Sequence, residues 1–93
     1  MVVGHVELDL YLPSCNSLKD KRQILQSLLD RLHRQFNLSA AEVGSQDLWN
    51  RGSIGLACVS GESGHARRVL EEAVRFIEDD GRCEVVARRI DLD

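Results

Sequence analysis

A change of hydrophobic period early in the chain constrains the fold more than any other sequence feature. From Val2 to Tyr11 apolar and polar residues alternate, which is typical of a β-strand with one buried face. The segment Ser17-Leu18-Lys19-Asp20 then has the pattern of a capping box, in which a serine hydroxyl and an acidic side chain satisfy free backbone N–H groups. Apolar residues recur at helical spacing after it, so we expect a helix from Leu18 to Phe36.

The rest of the chain repeats this alternation of element types. Strands are predicted from about residue 38 to 45 and from about 53 to 60, and a last strand from Glu84 to Leu92. Between them we expect a second helix that Ser63 caps and Gly81 ends. The order β-α-β-β-α-β is that of a ferredoxin-like α+β sandwich. Right-handed crossovers place both helices on one face of a four-stranded antiparallel sheet. The 93 residues suit a single domain, 1–93.

Composition narrows the classes of function. The formal net charge is −3, which argues against binding nucleic acid through bulk positive charge and leaves a local basic patch open. The three cysteines are far apart and lack metal-ligand spacing, so we expect reduced thiols, no metal and no cofactor. No apolar run is long enough to cross a membrane, and the first residues lack the basic region of a signal peptide. We therefore expect a cytoplasmic protein that does not associate with membranes.

Two charge clusters oppose the predicted helix dipoles. The basic cluster, Lys19, Lys21 and Arg22, lies at the positive end of the first helix, and the acidic cluster, Glu78, Asp79 and Asp80, lies at the negative end of the second. Each such placement costs roughly 0.3–1 kcal/mol at low salt. In one interpretation the clusters pair with each other across the antiparallel helices. In the other, the basic cluster and the free N–H groups of the first turn bind an external anion.

The loop from Gln46 to Arg51 is predicted to lie at the same end of the sheet. It contains the sole tryptophan, Trp49, which either covers the end of a core poor in aromatics or anchors a partner. Glu42 and Gln46 are predicted to lie on a solvated edge. The candidate binding residues, for an anion, RNA or a protein partner, are Lys19, Lys21, Arg22, Asp47, Trp49 and Arg51; no catalytic residue is assigned.

The sheet face without helices is predicted to carry a polar strand and a strand of small residues. His5, Glu7 and Asp9 alternate on the first strand; this spacing imitates a metal triad but is more often a solvated strand face. The third strand has no aromatic, which disfavours base stacking as in RNA-recognition modules. Gly55 and Ala57 instead suit close approach by another sheet, so homodimerisation through this open face is a hypothesis.

Two motifs carry a resemblance to a known family. With S-L-K-D-K-R at 17–22 and A-E-V-G-S-Q-D-L-W-N-R at 41–51, the chain resembles the YlxP-like bacterial family, catalogued as domain of unknown function 503. The resemblance extends from the V-V-G opening through E-L-D-L-Y-L-P to the final strand and implies a ferredoxin-like fold. Family genes tend to lie near those of translation initiation factor two and ribosome-binding factor A, which implies a role near the ribosome by association. The positions that characterise the family are Lys19, Lys21, Arg22, Glu42, Gln46, Asp47, Trp49 and Arg51.

Three classes of function follow from these observations. The first is a non-catalytic accessory protein that contacts the ribosome, RNA or a translation protein. The second is a homodimeric module that senses a small ligand at the open sheet face. The third, an enzyme, is disfavoured: where acylphosphatases of this fold have a glycine-rich anion loop, this chain reads L-P-S-C-N-S, and no nucleophile–base pair is recognisable.

Overall fold

The computed structural model describes residues 1–92 and has the predicted order of elements. These are β1 (Val2–Tyr11), α1 (Leu18–Gln35), β2 (Ser39–Gly44), β3 (Arg51–Ser60), α2 (Ser63–Glu78) and β4 (Glu84–Leu92). The strands form one sheet in the order β2-β3-β1-β4, and every neighbouring pair is antiparallel. The ferredoxin-like α+β arrangement is therefore confirmed.

The core lies between the sheet and both helices. Each strand contributes alternate residues: Val6, Leu8 and Leu10 of β1 are buried, and so are Ile54, Leu56 and Cys58 of β3. They form one cluster with the apolar stripes of the helices, which include Leu25, Leu28 and Leu32 of α1 and Leu70, Val74 and Ile77 of α2. Full burial of such an aliphatic side chain stabilises the fold by about 1.5–3 kcal/mol. Because both helices cover this face, the other face of the sheet is left open.

The first helix begins as its capping box predicts. The Ser17 hydroxyl accepts a hydrogen bond from the Asp20 N–H at 3.1 Å. The Asp20 carboxylate in turn accepts one from the N–H of Asn16 at 3.1 Å, one residue earlier than in the usual reciprocal pattern. These two bonds fix the start of α1 directly after the β1–α1 connection.

Some element boundaries differ from the prediction. α1 ends at Gln35, and β3 begins at Arg51, because Arg51 pairs with Tyr11 of β1. Ser63 is the first helical residue of α2 rather than its cap; Glu62 occupies the cap position and makes no side-chain capping bond.

A side chain of α1 covers part of the free edge of the outer strand β2. The Ala40 N–H donates to His33 Nε2 of α1 at 3.2 Å instead of to a strand. Register with β3 shifts between Glu42 and Gly44. The Glu42 side chain turns inward beneath the sheet and not onto the solvated edge that the sequence suggested, because a buried cation attracts it. β2 is thus a short strand with an irregular outer edge.

Neither helix in residues 1–92 is long and apolar enough to cross a membrane.

Candidate functional site

Two connections meet at one end of the sheet. The 45–50 loop joins β2 to β3, and the Leu12 N–H donates to the Asn50 carbonyl at 2.9 Å, which ties the β1–α1 connection to it. Within the loop, the Leu48 N–H donates to the Ser45 carbonyl at 3.2 Å. Ser45 has a φ of 59°, in the left-handed region that costs energy for residues other than glycine. The loop therefore has a defined turn that needs support from elsewhere.

Lys21 supplies that support from inside the molecule. Its residue surface is only 1 % exposed. Its Nζ donates to the carbonyls of Ser45 at 2.8 Å and Arg51 at 3.0 Å, and lies 3.5 Å from the Gln46 carbonyl. Lys21 thus binds both ends of the 45–50 loop.

Glu42 provides the counter-charge. Its Oε2 lies 3.2 Å from Lys21 Nζ, and this oxygen is buried with no other hydrogen-bond partner in the described chain. A buried cation needs such a partner, since an unpaired charge inside a protein costs several kcal/mol. An ammonium has three donors, and the contacts of Lys21 within residues 1–92 occupy them. Lys21 therefore does not belong to the external anion site that the sequence had suggested. Its ammonium fixes the 45–50 loop.

The other candidate residues lie at the surface. Lys19, Arg22, Asp47, Trp49 and Arg51 are all exposed. The exposed fraction of Trp49 is 46 %, so this indole is not buried in the core and about half of its surface is available to a partner. Arg51 places its guanidinium carbon 5.1 Å from the centre of the Tyr11 ring, a cation–π contact that restrains the side chain without using its donors.

The two charge clusters do not pair with each other. Asp80 instead accepts hydrogen bonds from Arg82, at 2.9 Å to Nε and 2.7 Å to an Nη, and from Arg31 at 3.1 Å. The Arg82 guanidinium lowers the pKa of the Asp80 carboxyl below its usual range. Arg82 also reaches Ser27 at 3.3 Å, so the end of α2 lies beside the middle of α1 and not beside its first turn. The predicted pairing of the basic cluster with the acidic cluster is therefore wrong for Asp80. Its carboxylate pairs with Arg82 and Arg31 instead.

The open sheet face combines a charged half with an apolar half. On β1, Glu7 and Asp9 are held by Arg89 of β4, at 3.1 and 3.7 Å. Across β2 and β3 a groove of about 420 Å³ runs over Gly55 and Ala57, with Val43 and His5 among its lining residues. No cluster of three metal-ligating side chains occurs in residues 1–92.

A serine–histidine contact lies at the opposite end of the sheet. Ser60 Oγ and His65 Nδ1 are 2.9 Å apart. The sequence analysis did not predict this contact. The Ser60 hydroxyl also accepts the Glu62 N–H at 3.1 Å, so its position is explained by the turn into α2.

Sequence reasoning missed the role of Glu42, although a signal was present. Lys21 falls on the same helical arc as Leu25 and Leu28, and a lysine on a core-facing arc requires an acidic partner. Glu42 is the one acidic residue of the strand that leads into the loop. Strand parity alone could not decide whether it pointed outward or inward.

Comparison of the sequence with known proteins gives matches that cover most of the chain. The family model described as "Protein of unknown function (DUF503)" matches residues 3–90. The "Uncharacterized protein YlxP" of Bacillus subtilis (strain 168) is 35 % identical over 77 residues, which cover 83 % of this chain and 84 % of the relative. The match spans β1 to β4, including the buried lysine and the loop that it holds. The chain therefore belongs to the DUF503 family of proteins of unknown function.

Proposed function

We propose that this protein is a non-catalytic accessory factor that binds structured RNA, with ribosomal RNA as the first target. The binding surface, called here the Trp49 surface, consists of Lys19, Arg22, Asp47, Trp49 and Arg51. One observation carries the proposal: an indole 46 % exposed to solvent is presented by a loop whose two ends are fixed from inside. Association with the ribosome is the expectation that the family resemblance implied.

The chemistry of the Trp49 surface suits unpaired nucleotides. An exposed indole stacks on a base, worth about 1–3 kcal/mol per base in single-strand binding proteins. Lys19 and Arg22 are exposed in the first turns of α1, where the helix dipole and free N–H groups also favour phosphate. Asp47 is the acidic member, and a carboxylate accepts hydrogen bonds from base amino groups. The surface therefore combines stacking, phosphate contact and one acceptor.

A fixed loop favours binding because less conformational entropy is lost. A flexible loop would have to be ordered on association, at about 0.5–1.5 kcal/mol for each immobilised side chain. Lys21 orders the 45–50 loop in the free protein, and the Tyr11 ring restrains Arg51. The buried lysine thus supports RNA binding without touching RNA.

The net charge of the protein limits the expected affinity for RNA. With a net charge of −3, attraction to RNA is local and weak. Three exposed cations on the Trp49 surface predict that the logarithm of the binding constant falls with the logarithm of salt concentration at a slope of about −2 for unpaired RNA. Binding should therefore be visible at low salt and fade at moderate salt.

Co-sedimentation with purified ribosomal subunits at low and moderate salt tests the proposal. Trp49→Ala and the pair Lys19→Gln/Arg22→Gln should each weaken binding about tenfold or more. The matched control is Arg67→Gln/Arg68→Gln, which removes the same charge from exposed positions of α2. Lys21→Ala is unsuitable here, since it would disturb the loop as well as the charge.

The outcomes separate clearly. Binding that is lost in the Trp49 surface variants and retained in the α2 control supports the proposal. Equal loss in both pairs would mean that bulk charge, not this surface, is responsible. Failure of the wild-type protein to bind either subunit at low salt would overturn the proposal.

A further inference from the structure

The open sheet face has a shape that is complementary to itself. Val43 projects from β2 with 52 % of its surface exposed, and it leans over Gly55, where an added Cβ would lie 3.0 Å from its Cγ1. The groove of about 420 Å³ lies directly beside it, over Gly55 and Ala57. At the far end of β3, Val59 is 62 % exposed. A projecting group and a recess therefore stand next to each other on one surface.

Two-fold interfaces require this arrangement. In a dimer with two-fold symmetry, one patch contacts the same patch of the other copy, so a projection on each copy can fill a recess in its partner only if projection and recess both belong to that patch. We propose that the open sheet face binds a second copy of this chain, sheet against sheet, with Val43 of each copy seated in the groove of the other. The proposal concerns a different surface from the Trp49 surface and does not depend on RNA binding.

Both carboxylates of the charged half are already paired within one copy, although one arginine between two carboxylates leaves a net negative charge. Arg89 pairs with Glu7 and Asp9, and Asp9 also accepts a hydrogen bond from Ser53 at 3.0 Å. Charges that are paired and hydrogen-bonded cost less to remove from water than free ones. The same carboxylates repel phosphate, and β3 offers no aromatic for stacking, so the face suits a protein better than RNA.

The available area is sufficient for a weak dimer. Strands lie about 4.8 Å apart and rise about 3.3 Å per residue, so four strands of up to ten residues present at most about 600 Å² per copy. Two copies then bury about 1,200 Å², the lower end of the range for specific interfaces. The whole face must therefore be covered. Because interfaces at this end of the range include weak and transient ones, we take the micromolar range as the concentration range to be tested.

Sedimentation equilibrium over a series of protein concentrations tests the inference. The wild-type protein should pass from monomer to dimer across the micromolar range. Ala57→Arg places a cation in the groove of each copy and should raise the dissociation constant at least about tenfold. Because Ala57 is partly buried, Val43→Lys is the second variant: the valine is already exposed, so the monomer fold should be unaffected. Gln23→Arg, exposed on α1 in the opposite layer, is the control with an equal change of charge.

Three results would overturn the inference. One is a wild-type protein that remains monomeric at the highest concentration. Another is a dimer whose dissociation constant is unchanged by Val43→Lys, which would place the interface elsewhere. The third is a monomer whose open-face resonances shift on addition of a panel of small metabolites, which would make the groove a ligand site. Loss of the dimer in both face variants but not in Gln23→Arg, with unchanged circular dichroism, is the expected result.

Discussion

Replacing Lys21 with methionine tests the account of the 45–50 loop most directly. The change keeps an unbranched apolar stem of similar packing and removes the ammonium. Glu42 Oε2 then loses the cation 3.2 Å away, and the carbonyls of Ser45 and Arg51 lose their donor. Breaking a fully buried ion pair costs about 3–5 kcal/mol. Because the Glu42 side chain is 25 % exposed and the loop carbonyls can turn toward water, we expect about 2–3 kcal/mol.

Two measurements can detect this loss of stability in Lys21→Met. For a domain of this size, 2–3 kcal/mol lowers the melting temperature by about 10–20 °C, measured by circular dichroism. Since Trp49 is the only tryptophan, its fluorescence and iodide quenching report on the loop alone. The variant should show increased quenching of Trp49 under conditions where the helices remain folded.

The control and the double variant sharpen the test. Lys19→Met removes the same charge from an exposed position in the same helical turn and should change stability by no more than about 0.5 kcal/mol. Adding Glu42→Gln to Lys21→Met should recover part of the loss, with a coupling of about 1–3 kcal/mol. A loss below about 1 kcal/mol, together with unchanged quenching of Trp49, would refute the reasoning.

Three further predictions concern the rest of the molecule. The pKa of Asp80 is lowered by Arg82, so its ion pair stabilises the fold above the unfolded-state pKa of about 3.9, and this contribution is lost as the pH falls through the folded-state pKa. In urea titrations Asp80→Asn should therefore be less stable than wild type at pH 7, with the difference closing below about pH 4. Burial raises the pKa of Cys83 to about 11, so its thiolate fraction at pH 8 is about one in a thousand, and mass spectrometry should show slow alkylation in the folded protein and rapid alkylation in denaturant. A Cβ at Gly4 would lie 2.7 Å from Leu92 Cδ2 and 3.0 Å from Leu70 Cδ1, the ends of two flexible side chains, so Gly4→Ala should cost about 1 kcal/mol as these side chains shift. Gly61→Ala, with nothing within 4 Å, should be nearly neutral in the same unfolding assay.

The fold was predictable because local signals agreed with each other. The alternation in β1, the capping box at Ser17 and the helical stripe of α1 each specify one element without reference to the rest of the chain. Boundaries set by tertiary contacts were less predictable. β3 begins at Arg51 because its backbone pairs with Tyr11, a contact between residues 40 positions apart that no local pattern encodes.

The sequence predicted which residues lie at the candidate site, but not which of them fix the loop and which face solvent. The sequence grouped Lys21 with Lys19 and Arg22 because all three are basic and adjacent, yet only Lys21 is buried. The helical spacing indicated that Lys21 faces the core, but its partners, Glu42 and the carbonyls of Ser45 and Arg51, lie more than 20 residues away and no local pattern specifies them. The partner of Asp80 was missed for a related reason. The crossing of the helices sets the end of α2 beside Ser27 and Arg31, and a sequence does not specify that angle.

The contact between His33 and Ala40 has a consequence for how this protein behaves in a crowded cell. A strand at the margin of a sheet is a template on which stray chains polymerise into fibrils. Here an imidazole from the protein's own helix already occupies a hydrogen-bonding position that an invading strand would need. The register shift beside Glu42 interrupts the row again two residues later. We therefore expect His33→Ala to remain folded by circular dichroism and to aggregate slowly at high protein concentration, as measured by light scattering, where the wild-type protein does not.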